Sequence, residues 1–153
     1  MGTNCTTDVS GCVDCPYIPS RAAIPRYTEI NAGWNAGANS VAMLDGDIHT
    51  VFQVPPSVAG VVLGFRGSRE DQTDFTQIEH GFYFAAAIGS VIETGITPAG
   101  QFTYTLTDKF EIRRYKSFVT YWRNGKLLYR SAKNSHGLKV VNACLYASGD
   151  EVL

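Results

Sequence analysis

Two apolar-alternating runs, "SFVTYWR" (117–123) and "KLLYRS" (126–131), are joined by the dipeptide Asn124-Gly125. A two-residue type I′ hairpin turn needs positive φ at both central residues, and Asn-Gly supplies it at little cost. The turn therefore predicts two antiparallel strands in one register. Register in turn assigns faces, because strand side chains alternate with period two. Just upstream, "KFEIRRY" sets Phe110 and Ile112 inward against Glu111 and Arg113 outward.

The rest of the chain reads the same way from about Tyr27 onward, as short β-prone runs split by turn residues. "SVAMLD" (40–45) and "IHTVFQV" (48–54) flank Gly46-Asp47 and predict a hairpin. Pro55-Pro56 ends the second run, since proline cannot donate to a ladder. "AGVVLGF" (59–65), "HGFYFAAAI" (80–88), "SVIETG" (90–95), "QFTYTL" (101–106) and "LKVVNACLYA" (138–147) are further strands. No window carries helical periodicity, and the regular spacing of some nine or ten strands predicts an antiparallel sandwich. The first 25 residues differ. They hold three of the four cysteines and Pro16, Pro19 and Pro25, so residues 1–25 read as an irregular cysteine- and proline-rich arm and 26–153 as the β-sandwich.

At 153 residues, 44% apolar and 18% charged, the chain can bury a core of its own and fits one folded domain. Its formal net charge is −1, with 13 basic against 14 acidic residues. The broad positive field that attracts phosphate backbones is absent, which argues against nucleic acid as a partner. There is no apolar run of the roughly 18 residues that span a bilayer, and the N-terminus has no secretory signal pattern. Met1 to Thr6 match the short myristoylation pattern, which has meaning only in a eukaryotic setting.

The order of Val91, Glu93 and Gly95, then Phe102 and Tyr104, then Asp108, Phe110, Ile112 and Arg114 follows a recognisable run. It continues through Val119, Tyr121, Asn124, Gly125, Tyr129 and Ser131 and closes on "VVNACLYASGD" (140–150). Over about residues 35–150 this resembles the concanavalin A-like and SPRY-like jelly-roll modules of phage virions (tail tips and fibres) and bacterial surface proteins. The resemblance implies an all-β, antiparallel two-sheet jelly-roll sandwich. It leaves activity open, because one fold hosts many functions.

The residues offer three kinds of candidate site. Glycosidases of this fold use two carboxylates roughly 5 to 10 Å apart, and "FEIRRY" offers one, Glu111, which Glu93 could in principle face. His49, His80 and His136 lie in unrelated contexts and no serine sits in a nucleophile elbow, so the chain reads as non-enzymatic, with a glycan-cleaving enzyme as an alternative. Cys5, Cys12 and Cys15, spaced C-x6-C-x2-C, could join Cys144 of the last strand if the chain ends are neighbours. Structural zinc or an iron-sulfur cluster, disulfides, and free thiols all fit. The loop "RGSREDQTD" (66–74) has the oxygens for calcium but no regular ligand spacing.

The third kind is ligand binding. Modules of the resembled type bind through loops at one end or through a sheet face. Sugars suit exposed aromatics, which stack on their apolar faces, and arginines, which bond their hydroxyls. Trp34 and Asn35, with the outward residues Arg113, Tyr115, Trp122 and Arg123, are the candidate ligand-binding positions. The expectation is a virion or surface component, above all a lectin-like module of a phage tail tip or fibre, assembled in a host cytoplasm without a signal peptide. It would contact host-surface glycans, other virion proteins or both, as an oligomer within an assembly. The same aromatic face would serve a purely structural virion protein as a subunit contact.

Overall fold

The computed structural model describes residues 33–153, and these form two antiparallel sheets. In chain order the strands are β1 (Ala36–Asn39), β2 (Ile48–Phe52), β3 (Val61–Arg66), β4 (His80–Ala85), β5 (Ile88–Ile92), β6 (Phe102–Thr103), β7 (Phe110–Tyr115), β8 (Phe118–Arg123), β9 (Lys126–Arg130) and β10 (Val140–Leu145). One sheet has six strands in the order β1-β10-β3-β4-β5-β6. The other has four, β2-β7-β8-β9. The expected two-sheet jelly-roll sandwich is what the chain forms. The arm at 1–25 and its boundary lie outside the described residues.

The core is the space between the sheets. Phe52, Phe82, Phe84, Phe110, Ile112, Val119 and Tyr121 fill it, each at most 5% exposed. Phe110 is its centre, with ring centroids of Phe84 at 4.8 Å, Phe82 at 5.3 Å and Phe102 at 5.6 Å. These tilted and offset contacts suit the quadrupoles of aromatic rings. Asn124 and Gly125 have φ of 51° and 79°, as the type I′ turn requires, and join β8 to β9.

A carboxylate holds that turn. Asp108 accepts from Asn124 Nδ2 at 2.7 Å, from Arg123 Nη2 at 2.7 Å and from the Thr105 amide at 2.9 Å. Asn124 Oδ1 in turn accepts from the Lys109 amide at 2.9 Å. Near the C-terminal end Asp150 plays a similar part. It is 5% exposed and takes the amides of Ala59, Gly60 and Ala147, tying the end of "LYASGD" to the start of β3.

Two strand expectations are corrected. The runs either side of Gly46-Asp47 form no hairpin. Leu44 bridges Lys139 beside the six-stranded sheet, whereas β2 belongs to the four-stranded one. The Gly46 carbonyl accepts from buried Arg114 and the Asp47 carboxylate from the Lys116 amide, so this turn is a crossing between sheets anchored to β7. Residues 80–88, read as one strand, are instead two strands of a hairpin. Ala86 and Ala87 make its turn with φ of 50° and 67°, a region that alanine enters at a cost of about 1–2 kcal/mol per residue.

That strain generates a prediction. Ala87→Gly is expected to stabilise the protein by about 1 kcal/mol, raising Tm by about 4 °C in a scanning calorimeter. An unchanged or lower Tm would mean that the turn is not held in this conformation.

Candidate functional site

The two sheets treat their outer faces differently. The six-stranded sheet is covered: the segment after β3, with a 3-10 turn at Phe75–Gln77, lies over Val62, Ile92 and Cys144 together with Trp34. Contact is close enough that a Cβ at Gly37 of β1 would meet the Gln72 carbonyl at 2.3 Å. The four-stranded sheet has no such cover among the described residues. Its outward side chains are set by the inward setting of Phe110, Ile112, Val119 and Tyr121, and they fall in rungs across the strands.

One rung runs His49, Arg113, Thr120, Arg130. The next, toward the Asn-Gly turn, runs Val51, Glu111, Trp122, Leu127. On the other side Tyr115 faces Phe118. Tyr115 is 63% exposed, Phe118 52%, Val51 51% and Leu127 47%, an uncovered apolar surface of the kind that marks a contact site. Arg113 lies over the Trp122 ring, its Cζ 4.2 Å from the centroid, and the indole N–H donates to Thr120 Oγ1 at 2.8 Å. The tryptophan is thereby held in one orientation. Burial alone would raise the Glu111 carboxyl, but hydrogen bonds from His49 at 3.1 Å and Arg113 at 2.6 Å outweigh it and hold the group below its usual range.

Of the candidate ligand positions, Arg113, Tyr115 and Trp122 share this face. Arg123 does not, which corrects its outward assignment. Its partner in register is the core residue Phe110, and its guanidinium lies over Phe102 and Phe110 while bonding Asp108. Trp34 is on the opposite side of the molecule, against Phe75, Tyr83 and Tyr146, with exposed Asn35 beside it. Sequence reasoning missed Phe118, Leu127, Arg130, His49 and Val51. Alternation counted outward from Tyr121 finds Phe118. On β9 the register shift opposite Tyr121 and Trp122 adds Leu128 and defeats simple counting.

The carboxylates considered for hydrolysis are separated by the sheet. Glu111 points outward, whereas Glu93 is 3% exposed on the inner side and accepts from Tyr121 Oη at 3.0 Å. Burial, reinforced by the Glu93 charge, pushes the Tyr121 phenol well above its ordinary value, so it stays a donor. His80 belongs to the same buried group, 2% exposed, with Nε2 on the Lys133 carbonyl. Burial lowers its pKa against the opposing pull of Glu93.

Cys5, Cys12 and Cys15 fall outside the described residues. Cys144 lies under the covering segment, fully buried, its thiol donating to the Gln72 carbonyl and Asn142 Oδ1 at 3.3 Å each. Burial pushes this thiol up to about 12, so using it as a thiolate ligand would require the Gln72 segment to lift away. Among the described residues no three His, Cys, Asp or Glu side chains converge on a metal-sized site, the 66–74 loop included. No described helix is long and apolar enough to cross a membrane. A groove of about 240 Å³ opens between the edges of β1 and β2, lined mainly by apolar side chains including Val51, Leu63 and Val152.

No protein-family model and no curated protein matches the sequence. Among solved structures, the SPRY domain of human HERC1 is similar at a TM-score of 0.55 and 14% identity, over 76% of this chain and 79% of that one. The alginate lyase AlgAT5 of polysaccharide lyase family 7 reaches 0.49 at 16% identity, over 76% of this chain and 55% of the lyase chain. Sheep galectin-11, in complex with glycerol, reaches 0.45 at 9% identity, over 82% and 100%. The first of these likenesses bears on the fold alone: the described residues form an antiparallel two-sheet jelly-roll sandwich, as that SPRY domain does.

Two predictions follow from where these side chains sit. Trp34→Ala is expected to cost about 3 kcal/mol in urea unfolding, because its ring packs between Phe75 and Tyr146, while Trp122→Ala on the open face costs less than half as much. Equal losses would contradict the assignment of the two faces. The second concerns acid. The Arg123 hydrogen bond holds Asp108 at about 2, below its value of 3.8 in an unfolded chain, so its contribution of about 2 kcal/mol is complete above pH 5 and disappears as pH falls from 4 toward 2. Asp108→Asn is therefore expected to be less stable than wild type at pH 7, with the gap closing on acidification. A gap independent of pH would show that the carboxylate charge is not what holds the turn.

Proposed function

We propose that the chain is a non-enzymatic binding module that contacts a saccharide through the outer face of β2-β7-β8-β9. One observation carries this reading: Arg113 and Thr120 fix the Trp122 ring on an uncovered sheet face that also exposes Tyr115 and Phe118. Rings held in place lose little entropy when a sugar stacks on them, and neighbouring guanidinium groups supply donors for its hydroxyls. The separation of Glu93 and Glu111 by the sheet supports binding without cleavage, since an acid and a base or nucleophile must flank one bond.

The setting proposed for this module is a virion, at a tail tip or fibre, where it meets a host-surface glycan. Support for that setting is the resemblance of residues 91–131 and 140–150 to such modules. A second reading has the same exposed apolar side chains as a contact between subunits, favoured by Leu127 and Val51, which stack poorly on sugars but suit a protein interface.

The test is binding of the full chain to a panel of immobilised neutral and acidic polysaccharides and to intact bacterial cells, with Trp122→Ala alongside. Saturable binding that weakens at least tenfold in the variant is expected. Self-association without saccharide binding, abolished by Trp122→Ala, would replace this reading by the subunit contact.

A further inference from the structure

The middle rung of the open face is basic. His49, Arg113 and Arg130 stand in one row across β2, β7, β8 and β9, with Thr120 between the arginines. Aromatic side chains flank the row on both sides, Trp122 along one and Tyr115 with Phe118 along the other. The charge balance of the row is positive. Glu111 is the carboxylate in contact with it, and His49 and Arg113 both bond that group. Arg130 is exposed and has no ion pair among the described residues, and Lys116, over the Tyr115 ring at 5.5 Å, adds a further cation at the edge.

We propose that the saccharide contacted here is a polyuronate, with ring faces on Trp122 and on Tyr115 and Phe118 and carboxylates on the arginine row. This rests on the saccharide reading above and adds the chemical class. The physical reason is geometric as well as electrostatic. A guanidinium presents two parallel N–H groups that match a carboxylate, and charge-assisted bonds of this type are about twice as strong as neutral ones. A neutral sugar would leave Arg130 without a use, whereas a uronate chain offers one carboxylate per ring beside each stacking face. Single-stranded nucleic acid also combines rings with negative charge, but it calls for a broad positive field, and this chain carries a net charge of −1.

The experiment measures binding of the full chain to polygalacturonate, to the same polymer fully methyl-esterified, to dextran and to oligo(dT), at low and at raised salt. The expected result is tight binding to polygalacturonate, lost on esterification and weakened by salt. Arg130→Gln, a substitution at an exposed residue without an ion-pair partner among the described residues, weakens it about tenfold. Equal affinity for the polyuronate and its ester would overturn the acidic class and leave the saccharide reading standing. Binding to none of the polysaccharides would overturn both. Oligo(dT) bound as tightly as polygalacturonate would also overturn the proposal, since the face would then select charge alone.

Discussion

The ring of Phe110 at the centre of the sandwich is the constraint on which the rest of the molecule depends. Held between Phe52, Phe82 and Phe84 on one side and under the Arg123 guanidinium on the other, it has one face of the sheet to point from. Because β-strands alternate strictly, this one inward position sends Glu111, Arg113 and Tyr115 outward. Through the β7–β8 ladder it does the same for Phe118, Thr120 and Trp122. The outer face of the four-stranded sheet is thus a by-product of core packing. A one-residue slip would bury the arginines and expose the phenylalanines, a change that hydrophobic burial forbids by a wide margin.

Much of this was legible in the sequence, for a physical reason that also explains the failures. Asn124-Gly125 reports its own backbone conformation, so the β8–β9 hairpin and the alternation on either side could be read locally. Gly46-Asp47 carries the same kind of signal but bends a chain whose flanking segments join different sheets, and no local feature announces the Arg114 side chain that captures its carbonyl. Ala86-Ala87 shows the converse. Its turn is imposed by the pairing of β4 with β5, against the preference of alanine, so the residues give no sign of it. Arg123 was readable in principle, two residues beyond inward Tyr121, yet its charge suggested the surface. Asp108, fifteen positions earlier, is what makes an inward arginine tolerable.

The two outer faces divide the labour of the fold. On the six-stranded side the segment from Gly67 to Glu79 and Trp34 complete a second small core over Val62, Ile92 and Cys144, and the Gln72 carbonyl takes bonds from both Asn142 and Cys144. Aromatic richness there serves stability. On the four-stranded side the aromatics have no partner of that sort among the described residues and are held instead by neighbours on the same surface: Arg113 against Trp122, Lys116 against Tyr115. Composition cannot separate a tryptophan of the first kind from one of the second. What separates them is whether a connecting loop has been spent on covering the sheet.

The extra residue in β9 bears on how the molecule behaves among its own kind. Strand β9 is the rim of the four-stranded sheet, and a straight rim offers unpaired amides and carbonyls on which a further strand can zip up, copy after copy. Leu128 interrupts that template. Two residues there oppose one across the ladder, the strand bends, and Lys126 and Arg130 place charge at either end of the irregularity. Growth of the sheet by edge-to-edge addition of strands is discouraged at this rim, so contacts between copies are directed to the broad outer face of the sheet and away from the free edge of β9.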